Sequence, residues 1–303
     1  MTSTSAKSVL ILGATGSIGF DVALEFLRNG YTVYGLTRTE DNAKLLLKNE
    51  IIPVVGAVSD FEKWVPIAEK VNVVIEALAD YSNLDTAQSV LNKFKEIKST
   101  KNPQLVPIYT SGALVYGTSD KVVDENTPYN VSNNPFLTVR VGLENQYREI
   151  GGIVIQPSFV FGKKGSGSSL YYEGVVKNTD GNFEIFGEEG QWRAIVHITD
   201  LARLYYLAAT KTDASRGQVF LGSAYYYKTA DIVRSIAKES KKDVKAIKFI
   251  PPTPTNPMSY LLYVSNATSH QKSTNLLGWV PTQPSLIDAP TRYYNSWINN
   301  NSN

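Results

Sequence analysis

The chain has no cysteine and only two histidines, His197 and His270. Disulfides, thiolate nucleophiles, cysteine-ligated zinc and iron–sulfur clusters are therefore excluded, and no set of imidazoles is left for a metal. An excess of one charge is also missing. Thirty Lys and Arg against 28 Asp and Glu give a net charge of +2 over 303 residues. Such a balance carries no electrostatic footprint for nucleic acid. No run reaches the roughly 18–20 apolar residues that cross a bilayer, and Val9 to Leu12 is too short for a signal-peptide core. The expectation is a cytoplasmic protein with a small-molecule substrate and no nucleic-acid or membrane partner. What is present is ordinary for a folded chain: 43% hydrophobic and 19% charged residues, which excludes disorder as the main state. The length suits about two domains or one large α/β domain.

The first half alternates short β-rich runs with helical patterns. Ser8 to Leu12 reads as a buried strand. Phe20, Ala23, Leu24 and Leu27 follow at helical spacing, with Gly30 where a helix C-cap belongs. Further strands are expected at Tyr31 to Leu36, Ile51 to Val55, Val71 to Ala77, Gln104 to Thr110 and Gly152 to Gln156. Helices are expected at Ala43 to Lys48 and Leu84 to Lys98. Strands alternating with helices imply βαβ units, hence a parallel sheet with helices on both faces. The second half is less regular. Phe161 to Ser169 reads as a glycine- and serine-rich mobile loop, and Pro251 to Pro257, with four prolines in seven positions, as a non-helical connector. Thr199 is placed to cap a helix through Ala209. Asp231 to Glu239 reads as another helix, and Asn299 to Asn303 as a frayed polar tail.

The strongest local signal is Gly13-Ala14-Thr15-Gly16-Ser17-Ile18-Gly19, between the first strand and the first helix. Gly13 permits a tight turn, Gly16 lets backbone approach a pyrophosphate, and Gly19 lets the helix pack close to the strand. The helix N-terminus then presents N–H groups to phosphate. The second strand ends in Thr37-Arg38, where an NAD-specific fold places a carboxylate for the ribose hydroxyls. Arg38 instead suits a 2′-phosphate, so NADP(H) is expected in preference to NAD(H).

The glycine spacing resembles the extended and atypical short-chain dehydrogenase/reductases, the NAD-dependent epimerase/dehydratase-like group. Further segments extend the resemblance from residue 8 to about 281: Gly56 to Asp60, Tyr109 to Gly117, Gln156 to Gly162, Trp192 to Asp200, and Leu277-Gly278-Trp279-Val280-Pro281. The Gln156 segment is similar to a family Arg-Pro-x-x-Val-Tyr-Gly stretch, with Gln where the family has Arg. The resemblance implies a doubly wound Rossmann-type sheet of about seven parallel strands with a smaller C-terminal substrate region. It divides the chain into a dinucleotide-binding part at 8–160 plus about 195–222 and a substrate part at about 161–194 plus 223–298. It also implies cofactor contacts from Asp60, Ala77, Leu78, Pro157 and Ser158, and family members dimerise through helices corresponding to Leu84–Lys98 and Phe136–Ile150.

One departure is central. Active relatives carry Tyr-x-x-x-Lys on the helix after the Ser/Thr strand, with a Glu four residues beyond the lysine. Aligned on Glu144, the tyrosine position holds Phe136 and the lysine position Arg140. Phenylalanine has no proton to give, and arginine does not titrate usefully. Tyr129, followed four residues later by Asn133, does not restore the pair. Arg140 can still bond ribose hydroxyls or phosphate, or else pair with Glu144 at i,i+4. Ser111 matches the family's catalytic hydroxyl, while Tyr116 and His197 are alternative donors. Each also has a plain structural reading. Tyr171, Trp192 and nearby aromatics, with Phe136, suggest a pocket for an apolar or aromatic carbonyl. Arg193, Arg216, Lys163 and Lys164 are the cations available to an anionic substrate. Three readings stay open. They are an NADPH-dependent reductase of a carbonyl or enone, a silent NADP(H)-binding sensor, and a sugar-nucleotide epimerase or dehydratase.

Overall fold

The computed structural model describes residues 7–78, 84–131, 134–164 and 167–301. Asn133, Gly165, Ser166 and the last two residues, on which parts of the sequence reading fall, lie outside them.

Seven strands form one parallel sheet: β1 (Ser8–Leu12), β2 (Thr32–Thr37), β3 (Ile52–Val55), β4 (Val73–Glu76), β5 (Val106–Thr110), β7 (Ile153–Pro157) and β11 (Val219–Gly222). Their order is β11-β7-β5-β4-β1-β2-β3. Successive side chains face opposite sides. Val9 and Ile11 enter one core with helices α1 (Ser17–Arg28), α2 (Glu40–Leu47) and α7 (Ile198–Thr210). Leu10 and Leu12 enter the other with α3 (Phe61–Ala68), α4 (Leu84–Thr100) and α5 (Pro135–Glu149). Burial on both faces explains why these strands read as continuous apolar runs.

The remaining strands are β6 (Val122–Val123), β8 (Phe159–Phe161), β9 (Asn182–Phe186), β10 (Trp192–His197), β12 (Tyr225–Lys228), β13 (Ala246–Ile250) and β14 (Ala267–Thr268). They form small sheets in the orders β12-β10-β8, β13-β9 and β14-β6. With helices α6 (Ser169–Lys177), α8 (Thr212–Ser215), α9 (Thr229–Glu239), α10 (Pro257–Tyr263), α11 (Gln271–Leu277) and α12 (Pro290–Asn301), they complete the described chain. A third core, with Phe161, Tyr172, Ile195, Ile236 and Trp297, holds α6, α9 and α12 around β9 and β10. Only Ser158 separates β7 from β8, and only Ser223 and Ala224 separate β11 from β12. The two strands thus leave the large sheet side by side and enter the small one.

Four local expectations change. His197, not Thr199, caps α7: its Nδ1 accepts the Thr199 N–H at 3.2 Å. The tail is helical through Asn301, whose Nδ2 donates to the Trp297 carbonyl at 2.8 Å. Helix α6 begins at Ser169, directly after the glycine-rich run, and Pro257 opens α10 because its missing N–H costs nothing in a first turn. Among the described residues no helix is long and apolar enough to cross a membrane.

Candidate active site at the carboxyl edge of the sheet

Parallel strands end on one edge. Leu12 lies beside Leu36 and Glu76, and Glu76 beside Tyr109. Chain order reverses between β1 and β4, and open α/β sheets bind ligands at such a switch point. The glycine turn sits there. Gly13 has φ +87°, and a Cβ on it would lie 2.6 Å from the Ala77 carbonyl oxygen. A Cβ on Gly19 would lie 2.2 Å from the Gly13 carbonyl oxygen. Neither contact is possible, so both positions demand glycine, and α1 starts directly against β1 and β4. Gly16 and Ser17 are exposed, no side chain caps α1, and no acidic residue occupies its first turn. Its first N–H groups and the positive end of its dipole face the crevice, which fits a pyrophosphate.

Thr15, Gly16 and Ser17 line a cavity of about 150 Å³ that Lys163 and Lys164 close from the turn after β8. Lys163 forms an ion pair with Asp21 of α1, so this lysine is engaged with the helix that follows the glycine turn. Ile18 lines the first turn of α1 and packs against the core beneath it. Arg38 is exposed just after β2 and makes no ion pair with a carboxylate among the described residues. Asp60 accepts the Ala57 N–H at 2.8 Å and thereby closes the turn after β3. Ala77 donates to the Leu12 carbonyl at 2.9 Å, and Leu78 packs toward Gly13. At the end of β7, the Ser158 N–H and O–H both donate to the Gly222 carbonyl, at 2.9 and 3.1 Å. Pro157 pairs in register with Gly222.

Ser111 follows β5 on the same edge, its N–H bonded to the Ile155 carbonyl at 2.8 Å. Its hydroxyl contacts Glu144 Oε1, a fully buried carboxyl from α5. The Tyr129 O–H donates to Glu144 Oε2 at 2.6 Å, and Gln156 Nε2 donates to the same oxygen at 2.9 Å. The Tyr116 O–H in turn donates to Gln156 Oε1 at 2.8 Å. Burial raises the carboxyl's pKa, opposed by hydrogen bonds from Ser111, Tyr129 and Gln156 and by the charge of Arg140. Burial likewise raises both phenols, helped at Tyr129 by the charge of Glu144 and at Tyr116 by the charges of Tyr129, Glu125 and Glu144. Tyr116 is therefore a buried hydrogen-bond donor to Gln156.

Arg140 donates to the Thr110 carbonyl at 3.2 Å and lies 4.8 Å from the Phe136 ring centroid. The two replacements for the family's Tyr and Lys thus meet as a cation–π pair. His197 is held elsewhere. It caps α7, packs on Phe161 and Tyr293, and abuts Gly162, where a Cβ would come within 2.3 Å of its Nε2. Desolvation, with Arg292 and Lys163 nearby, lowers its pKa to about 4. The imidazolium invoked from sequence is thus absent near neutral pH. Arg216 bonds the Gln104 carbonyl at 3.0 Å, before β5, which places it on the opposite edge of the sheet.

Two of the substrate-side candidates, Arg193 and Tyr171, meet on Phe159, whereas Trp192 and Phe136 pack elsewhere. Arg193 is 1% exposed, stacks on Phe159 at 4.2 Å and donates through Nη2 to the Leu262 carbonyl at 2.5 Å. Its Nε and Nη1 carry no protein partner, nor does the buried Tyr171 hydroxyl, whose ring meets Phe159 at 5.9 Å. Trp192 lies under the Lys228 ammonium at 3.7 Å and against Tyr226. Among the described residues no cluster of three or more acidic or histidine side chains is arranged to hold a metal.

The model of the NAD dependent epimerase/dehydratase family matches residues 9–222, from β1 through β11. The chain belongs to this family. Among curated proteins, this epimerase/dehydratase-family chain is 25% identical over 298 residues to the uncharacterized protein C2A9.02 of Schizosaccharomyces pombe, covering 92% of this chain and 96% of that one. It is 23% identical over 135 residues to a decarboxylating sterol-4-alpha-carboxylate 3-dehydrogenase of Dictyostelium discoideum, a match spanning 41% of either chain. Its fold is that of dTDP-glucose 4,6-dehydratase from Bacillus anthracis in complex with NAD, at TM-score 0.80, 18% identity and 98% coverage of both chains. UDP-glucuronic acid 4-epimerase from Bacillus cereus, in complex with UDP-glucuronic acid and NAD, superposes at TM-score 0.78 with 18% identity, covering 96% of this chain and 99% of that one.

Within the family chain, sequence reasoning missed the company Ser111 keeps. Glu144 entered only as an alignment point and as an i,i+4 partner for Arg140, yet its spacing from Phe136 and Arg140 puts all three on one helical face, and that was the available signal. Gln156 was visible as an odd residue in the Pro157-Ser158 segment. Tyr129 comes from the loop before α5, and no local pattern marks it.

Proposed function

We propose that the protein is an NADP(H)-dependent oxidoreductase that reduces the carbonyl of a small, largely apolar or aromatic compound. The observation that supports it best is Ser111, held at the carboxyl end of β5 in a buried network beside a complete dinucleotide turn. Burying Glu144 there is costly unless each of its oxygens is bonded. A chain that only held a dinucleotide would gain nothing from that arrangement. When bound, the nicotinamide supplies the hydride. The α1 N-terminus would hold the pyrophosphate, Arg38 the 2′-phosphate, and Arg140 the ribose or a phosphate. Ser111 would bond the carbonyl oxygen and polarise it.

A second reading, action on a sugar nucleotide, draws support from Arg193, whose unpartnered Nε and Nη1 suit a diphosphate. Phe136 counts against it, because epimerases and dehydratases of this kind draw on the missing phenol.

The deciding measurement is NADPH oxidation by the purified protein against a panel of aldehydes, ketones and enones, with NADH in parallel. Turnover that falls at least tenfold in Ser111→Ala supports the reductase. Tight NADPH binding without turnover on any carbonyl would favour a sensor of the cofactor pool, and Arg193-dependent binding of nucleotide sugars the second reading.

A further inference from the structure

Phe136 removes the usual proton donor, and the described site offers no imidazolium in its place. Ser111 alone can give one proton but must then recover it. The network beneath it supplies the means.

Gln156 is oriented by its neighbours. The Tyr116 O–H donates to its Oε1, so its Nε2 faces Glu144 Oε2 at 2.9 Å and the Tyr129 oxygen at 3.3 Å. The Tyr129 oxygen accepts from that amide, and its own O–H points to Glu144 Oε2 at 2.6 Å. Two donors therefore converge on Oε2. Oε1 has a different surrounding: its partner is the Ser111 hydroxyl. A proton on the carboxyl has room only on Oε1, directed at Ser111 Oγ. The groups facing Glu144 are Ser111 from the end of β5, Tyr116 from the turn after it, Tyr129 from the loop before α5, Gln156 from β7 and Arg140 from its own helix. Arg140 is the one cation among them, and it favours the ionised form less strongly than burial opposes it.

We propose that Glu144 is held as the neutral acid with its proton on Oε1, and that it reloads Ser111 with a proton during carbonyl reduction. This rests on the reductase reading above. As hydride reaches the carbonyl carbon, the C=O π pair becomes a lone pair on oxygen and takes the Ser111 Oγ proton. Ser111 Oγ takes the proton from Glu144 Oε1. The resulting carboxylate keeps the hydrogen bonds from Tyr129 and Gln156 and regains a proton from solvent. Alcohol and oxidised cofactor leave. Glu144 is a positioning residue here, because it reaches the reacting oxygen only through Ser111.

Infrared difference spectroscopy of the cofactor-free protein at pH 7 tests the stored proton without any substrate. A carboxylic-acid C=O band that shifts in heavy water, disappears in Glu144→Gln and survives in Glu76→Gln is expected. Its absence at pH 7 overturns the proposal. In turnover with whichever carbonyl the panel yields, the wild-type rate should fall as pH rises through the Glu144 titration. Glu144→Gln should lose at least tenfold in kcat and the pH limb with it, with NADPH affinity unchanged. Tyr129→Phe removes a bond that favours the carboxylate and should move the limb to higher pH. Wild-type kcat and an unmoved limb in both variants would overturn the relay. A protein that shows the band but turns over no carbonyl keeps the protonated Glu144 and overturns the relay together with the reductase reading.

Discussion

The two parts of the molecule treat buried polar atoms differently. Nine buried side-chain atoms among the described residues lack a protein hydrogen-bond partner, and all lie between Ser168 and Thr268. Before Ser168, buried carboxyls are bonded: Glu76 to Tyr147, Glu144 to three partners, Asp21 to Lys163. Native interiors leave few such groups unpaired. The residues before Ser168 pair their buried carboxyls, whereas the later ones leave some buried polar groups bonded only in part, as at Arg193, where Nη2 has a partner and Nε and Nη1 have none.

The sharpest way to break that contrast is Gly19→Ala. The added Cβ meets backbone at 2.2 Å, so the clash cannot be relieved by a side-chain rotation. A loss of more than about 3 kcal/mol of stability and of measurable NADPH binding is expected, read by thermal melts and tryptophan quenching. Wild-type behaviour would show that the turn tolerates slack.

Next in size is Glu76. Burial, offset by the Tyr147 hydrogen bond and the Arg140 charge, raises its pKa from 4.5 to about 7. The folded state then holds a proton that the unfolded state has released. Stability contributed by this group is full below pH 4.5 and is lost as pH rises to about 7, by about 3 kcal/mol. Glu76→Gln should abolish that decline in urea titrations, being no less stable than wild type at pH 4 and more stable at pH 8. A variant with an unchanged slope would mean that the first part carries no such strain.

Arg38→Ala should weaken NADPH by roughly ten- to a hundredfold, about 1.5–3 kcal/mol for a charged hydrogen-bonded contact, and leave NADH unchanged. Equal losses for both cofactors would remove the 2′-phosphate assignment. The smallest expected effect is on stability in Arg193→Met. An apolar side chain of similar volume should keep the melting temperature or raise it by about 1 kcal/mol equivalent, while substrate turnover or nucleotide-sugar binding falls at least tenfold. An unfolded variant would show Arg193 to be structural and the contrast between the two parts illusory.

These differences also decide how far the chain could be read in advance. The strands buried on both faces announce themselves, and β1 runs over the same residues, Ser8–Leu12, that the apolar run marks. The glycine turn was legible because backbone contact leaves no alternative at Gly13 and Gly19. Helix α3 escaped notice, since Pro66 interrupts its pattern, and β9, β13 and β14 are short strands whose partners lie far along the chain. At the site, Ser111 was found by its motif. Its partner Glu144 was named only as an alignment point and as an i,i+4 partner for Arg140, because its hydrogen-bond partners come from the end of β5, from β7 and from a loop that no local pattern connects.

The junction at Ser158 and Ser223 has a thermodynamic consequence. Two adjacent strands carry the chain from the large sheet into the small one with one and two intervening residues, and Ser158 is bonded twice to the strand beside it. Domain hinges need a few free backbone torsions, and this junction offers almost none. The two parts cannot melt one after the other without tearing both sheets. Calorimetry should record a single cooperative endotherm, with the large sheet and the small one lost at one temperature.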